Sequence, residues 1–143
     1  MGKLLQRLWK LFLRAGWAPF LVLIVHRILL IKGWRENTDF LMHFSGGLSF
    51  AYLAFHALDE FDEVLGKLNR LGHYSVAFLA TCTMALFWEF AEYALDGIRG
   101  SNIQHSIDET MWDLINGTLG GVTTLSLIWI WSRLKGRESS QPQ

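Results

Sequence analysis

The sequence has one cysteine, no proline-, glycine- or serine-rich linker, and no net charge, because thirteen Lys and Arg balance thirteen Asp and Glu. Cys82 alone can form neither an intrachain disulfide nor a thiolate metal cluster, and it is expected as a small core residue. With no linker, the 143 residues make one domain. Phosphate-binding Gly-rich loops, nucleophile elbows, HExxH and nucleic-acid motifs are all missing, which removes the corresponding function classes. No small-residue cleavage site follows the first apolar run, so no cleavable signal peptide is expected.

Long apolar blocks dominate what is present. A hydrocarbon layer about 30 Å thick is spanned by about 20 mostly apolar helical residues. Four stretches approach that length: Ala15–Ile31, Phe40–Leu58, Tyr74–Leu95 and Thr110–Trp131. Helices apolar nearly all round leave too little polar surface for a bundle in water. The expected fold is therefore all-α and polytopic, with four transmembrane helices over residues 15–131. Before them, residues 1–14 form an amphipathic basic segment. Lys3, Arg7, Lys10 and Arg14 share one face there that can lie on anionic headgroups. Residues 132–143 make a polar cytoplasmic tail, its end from Gly136 expected to be disordered.

Neutrality conceals an asymmetry. Four spans put both termini and the second loop on one side, with nine basic and five acidic residues. The other side has four basic and eight acidic residues, giving net charges of +4 and −4. Lysine and arginine are retained in the cytoplasm, so both termini are expected there. Trp17, Trp129 and Trp131 mark one interface, and Trp34 and Trp112 the other. The mixed-charge second loop, Asp59–His73, reads as a short solvated helix or turn, and His56 and His73 as interfacial residues.

The acids on the outer side are patterned. Asp39 and His43 lie one turn apart at the start of span two, followed by Gly46 and Gly47. Span three ends with Glu89, Glu92 and Asp96 at i, i+3 and i+7, a narrow carboxylate stripe, and Gly97 is the expected residue just past its end. Ser106 and Glu109 have capping-box spacing, starting span four at Ile107. Asp113, Asn116, Gly117 and Gly120 then form one stripe, and Gly117 with Gly121 a GxxxG surface. Topology brings Asp39, His43, Glu89, Glu92, Asp96, His105, Asp113 and Asn116 to one depth, with His26 and Arg27 in reach. So many carboxylates need compensation from Arg27 and Arg35, shared protons or a metal ion. Several have plainer roles: Glu109 as a helix cap, Asp108 as a dipole partner, Asp39 as an N-cap, Asp96 as an interfacial end residue. Glu89 and His43 lie too deep for such explanations.

These residues carry a resemblance. Asp39-x-x-x-His43-Phe44 with Gly46-Gly47, then Trp88-Glu89-Phe-x-Glu92-Tyr93-x-x-Asp96, then Gln104-x-x-x-Asp108-x-Thr110-x-x-Asp113-x-x-x-Gly117-x-x-Gly120 resemble the YjdF-like family of bacterial inner-membrane proteins. The chain is more distantly similar to the VanZ-like family, where Gln is expected at the position of Glu92. The resemblance implies a membrane topology and importance for these motif residues; it supplies no reaction.

Three functions compete. The first is a divalent-metal site (Zn, Mn, Fe or Mg) with ligands His43, Glu89, Glu92, His105 and Asp113. Glu89 or Glu92 would act as catalytic base in hydrolysing a lipid-linked or headgroup substrate. Asp39, Asp96, Asp108, Asn116 and Arg27 would support the ligands or the substrate. The second is a non-enzymatic binding or assembly module for a cationic headgroup or partner. The third is a proton or cation pathway. It would need an oligomer, since the cytoplasmic half offers no polar continuation at Ala77, Phe78 or Leu79. Expected partners are membrane lipids and a second copy through Gly46, Gly47, Gly117 and Gly121, with no nucleic acid.

Overall fold

A computed structural model describes residues 2–101, 104 and 106–138, apart from the side chains of 35–37 and 136–138. His105 and the tail from residue 139 lie outside the described residues. Every regular element among them is helical: α1 (Gly2–Leu11), a π-helical turn (Phe12–Gly16), α2 (Trp17–Ile31), α3 (Arg35–Glu60), α4 (Asp62–Leu65), α5 (Arg70–Arg99) and α6 (Ile107–Glu138).

Burial is inverted relative to a water-soluble bundle. Ser49, Thr81, Glu89, Glu92, Asp113, Asn116 and Thr124 are buried, while Phe20, Leu41, Leu79, Phe90 and Leu127 are each more than half exposed. Water would penalise that surface, whereas a hydrocarbon solvent rewards it. Among the described residues, three helical stretches are long and apolar enough to cross a membrane: Gly2–Ile31, Arg70–Arg99 and Ile107–Lys135. With 26 residues, α3 has the length, but Asp39, His43, Ser45, Ser49 and His56 dilute its hydropathy. Inside the long helices the hydroxyls of Thr81, Thr83 and Thr123 bond back to carbonyls four residues earlier, so they enter an apolar layer already satisfied.

Helix α3 is the hub, packing on α2, α5 and α6. It runs parallel to α6, since α5 carries the chain back between them, and glycine lets the two backbones meet. A Cβ at Gly47 would sit 1.9 Å from the Gly117 carbonyl oxygen, and one at Gly120 would sit 2.1 Å from that of Phe44. Thr124 donates across the seam to the Leu48 carbonyl at 3.0 Å. Gly121 faces the Thr81 side chain of α5, where a Cβ would sit 2.9 Å from Cγ2. Three of the four glycines expected to join copies of the chain thus pack within it, and Gly46 alone keeps open space.

Helix ends follow side-chain chemistry more than apolar blocks. Asn69 caps α5, accepting from the Gly72 N–H at 2.8 Å, so the helix starts four residues before Tyr74. At its other end α5 passes the expected stop at Gly97 and finishes at Gly100, whose φ of +63° glycine adopts without strain. The correction has a local cause. Asp96 accepts from the Ser101 hydroxyl and the Gln104 N–H, anchoring the loop beyond Gly97. Ser106 accepts from the Glu109 N–H at 3.1 Å, and α6 starts at Ile107 as the spacing predicts.

The N-terminal basic face meets acidic residues: Arg7 pairs with Glu63, and Arg14 with Asp59 at 3.3 Å. Opposite charges on the ends of α3 and α4 thus engage two of the four basic residues assigned by spacing to headgroups, leaving Leu4, Leu5 and Trp9 exposed.

Candidate functional site

The glycine seam positions the chemistry. Close approach of α3 and α6 around Gly47 and Gly117 brings Asp39 and His43 against Asp113, one turn before Gly117 on α6. Helix α5 runs antiparallel to both, and Ala85 lies beside Gly117, so Glu89 arrives one turn on at the level of His43.

His43 sits at the centre. Its Nε2 lies 3.8 Å from Asp39 Oδ1 and 3.7 Å from Asp113 Oδ1, and its Nδ1 lies 3.5 Å from Glu89 Oε1. The side chains of His43, Glu89 and Asp113 are 9%, 3% and 9% exposed, against 17% for Asp39 at the rim. Two groups of three bring ligand-type atoms within 4.8 Å of one another: Asp39, His43 and Asp113, and His43, Glu89 and Glu92. Among the described residues, no lysine or arginine comes within ion-pair distance of Asp39, Glu89 or Asp113.

Glu89 is held from one side only. Gln104 Nε2 donates to its Oε2 at 3.1 Å and to its backbone carbonyl at 3.2 Å. Oε1 is buried, faces His43, and has no hydrogen-bond partner among the described residues. Leaving a buried carboxylate oxygen unmatched costs roughly 1–3 kcal/mol or more.

The remaining candidates separate. Asn116 is buried on the Asp113 stripe, and Glu92 belongs to the second group of three. Asp96 faces the loop it anchors. Asp108 and Arg27 are exposed, outside both groups of three. His26 packs edge-to-face on Trp88 with centroids 5.8 Å apart. His105 lies outside the described residues. Sequence reasoning did not count Gln104 as a site residue, although it is the side chain that orients Glu89. Its signal was its place at the head of the Gln104-x-x-x-Asp108 pattern.

Chemically, a central imidazole ringed by carboxylates, three of them without a lysine or arginine partner among the described residues, can hold a cation, either a proton on His43 or a metal ion between the groups. Comparison with curated proteins and with solved structures found no match. One family model does match, over residues 11–134, in agreement with the YjdF-like resemblance of the motifs. The chain belongs to the family described as Predicted membrane protein (DUF2238).

Proposed function

We propose that this is a divalent-metal protein of the inner membrane with four spans, α3 being the one that length and composition alone do not identify. Both termini lie in the cytoplasm and the His43 cluster lies at the outer face, as the excess of lysine and arginine on the side of the termini supports. The N-terminal basic segment rests at the inner interface, its exposed Leu4, Leu5 and Trp9 in the acyl boundary.

Glu89 Oε1 carries the reading: a carboxylate oxygen buried beside His43 and without a hydrogen-bond partner among the described residues. Spacing adds to it. Separations of 3.5–3.8 Å around His43 are too long for good hydrogen bonds. They are close to the roughly 3.4 Å that separates tetrahedral ligands bound at about 2.1 Å. His43, Glu89 and Glu92 supply one set of nitrogen and oxygen donors suited to Zn, Mn or Fe, while Asp113 and Asp39 face the opposite ring nitrogen, Nε2.

Hydrolysis of a headgroup-bearing lipid at the outer leaflet is the activity such a centre would support. An ion held by His43 and a glutamate would lower the pKa of a coordinated water, and whichever of Glu89 and Glu92 is not a ligand would serve as the base that takes its proton. Metal analysis of protein purified from metal-replete cells tests the reading. About one ion per chain is expected, lost in His43→Ala and Glu89→Ala while the helical spectrum is unchanged. Metal-free wild type would instead support a protonated His43 binding the same carboxylates, the arrangement of a non-enzymatic module for a cationic headgroup.

A further inference from the structure

Helix α2 touches the bundle in an unusual way. It packs on α3, and none of its Cα atoms comes within 8 Å of one in α5 or α6. Between α2 and α5 lies a partly open cavity of about 60 Å³. Val22 and Leu23 of α2 form one wall, Met84 and Trp88 of α5 the other, and Gly46 and Phe50 of α3 the back. Its polar end is His43, the central residue of the carboxylate cluster. His26 and Trp88, in edge-to-face contact, bridge the two helices at the outward end.

The walls open sideways. Leu23 is 40% exposed and Met84 39%, so the cavity is continuous with the surface that faces hydrocarbon. These positions fall in the middle of α2 and α5, where the solvent is acyl chain rather than water. An apolar recess there has no water to draw in, and a chain entering it recovers dispersion contacts with both walls. At roughly 10–15 Å³ of such volume per water-sized group, 60 Å³ accepts a run of about four methylenes.

We propose that the slot between α2 and α5 binds one acyl chain of a membrane phospholipid, entering laterally between the helices and leading its headgroup toward the His43 cluster. This deepens the proposed reading of that cluster, on which the role of the headgroup end rests. The slot makes the substrate a membrane-embedded amphiphile rather than a free headgroup ester. It also explains why Gly46, unlike Gly47, meets no neighbour within 4 Å: a side chain there would occupy the acyl path.

Photolabelling tests this. The full chain, in vesicles of phosphatidylethanolamine and phosphatidylglycerol, is irradiated with phosphatidylglycerol bearing a mid-chain diazirine, and labelled residues are mapped by mass spectrometry. Label is expected on Phe50 at the back of the slot as well as on Leu79, which is exposed on the outer surface of α5. Gly46→Leu should abolish labelling at Phe50 and leave Leu79 unchanged. Val22→Trp, which narrows the slot from the loosely packed α2, should do the same should Gly46→Leu fail to fold. Glu89→Gln should retain the Phe50 label, so failure of the metal reading and failure of the slot remain separate results. Absence of label at Phe50 in the wild type, or labelling there that survives both blocking variants, would overturn the proposal.

Discussion

The two ends of the bundle hold the same residue types in opposite electrostatic states. At one end His43 stands among Asp39, Glu89 and Asp113, and none of those three acids has a basic partner among the described residues. At the other end the acids have basic partners: Arg7 pairs with Glu63, and Asp59 has Arg14 at 3.3 Å, His56 at 3.6 Å and His73 at 3.7 Å. His73 Nε2 also lies 2.9 Å from the Phe55 carbonyl, so this imidazole is already spoken for. Each cluster contains a buried atom without a hydrogen-bond partner among the described residues, Glu89 Oε1 and His56 Nδ1, so unsatisfied polarity does not distinguish them. Charge balance does. An arginine beside one acid makes a latch joining the π-helical turn to the ends of α3 and α5, while an excess of acids around one imidazole makes a place for a cation.

Supplying the missing positive charge should break the contrast most completely. Asp39 lies at the rim, where a longer side chain can keep part of its stem in the interface. Asp39→Arg is expected to abolish metal retention while leaving the protein folded and monodisperse, because its guanidinium would neutralise Asp113 and Glu89 as Arg14 neutralises Asp59. Metal content by mass spectrometry after size exclusion reads the result, and full retention would mean that the acids do not act together.

A second comparison lies within adjacent glycines. Gly47→Ala drives a methyl into the Gly117 carbonyl and should cost about 3 kcal/mol or more, separating Asp39 and His43 from Asp113. Gly46→Ala places the same methyl in open space, and the better helix former should stabilise by up to about 1 kcal/mol. Thermal unfolding in detergent distinguishes them; equal effects would mean the seam is looser than its geometry. Gln104→Ala is expected to act more gently, leaving the fold intact and weakening metal affinity about 10–100-fold through loss of the contact that orients Glu89. Metal titration of the stripped variant would show it, and unchanged affinity would remove Gln104 from the site.

Much of this organisation was legible in the sequence because helical spacing and chain direction are enough to bring distant residues to one depth. The i, i+4 pair Asp39 and His43, Glu89 and Glu92 of the stripe, and Asp113 one turn before Gly117 meet as that logic requires, whereas Asp96 turns to the loop it anchors. The Ser106 cap placed the start of α6 correctly. What escaped depends on contacts that spacing does not encode. Gly97 and Gly100 are equally good stops by type, and hydrogen bonds to Asp96 from residues beyond both select the later one. The role of Gln104 arises only once its loop folds back onto α5. Gly47, Gly117 and Gly121 looked available to a second chain because a glycine face does not name its partner. The slot beside Gly46 is likewise a property of the gap between α2 and α5, which no single helix displays.

The Asp59 end should give the smallest response, and that is what makes it informative. The Arg14 and Asp59 side chains are 49% and 39% exposed, so water already screens their attraction. Arg14→Ala removes the nearest positive charge and leaves Asp59 facing His56 and His73, a composition that superficially matches the His43 cluster. If residue type alone made a metal site, this variant would gain one. If excess buried acid is required, it should bind no additional metal and lose only about 0.2–1 kcal/mol of stability. Metal content and thermal unfolding, measured on Arg14→Ala beside the wild type, decide between these outcomes. A second bound ion in Arg14→Ala would show that one carboxylate and two imidazoles suffice, and that charge excess is not what sets the two ends of the bundle apart.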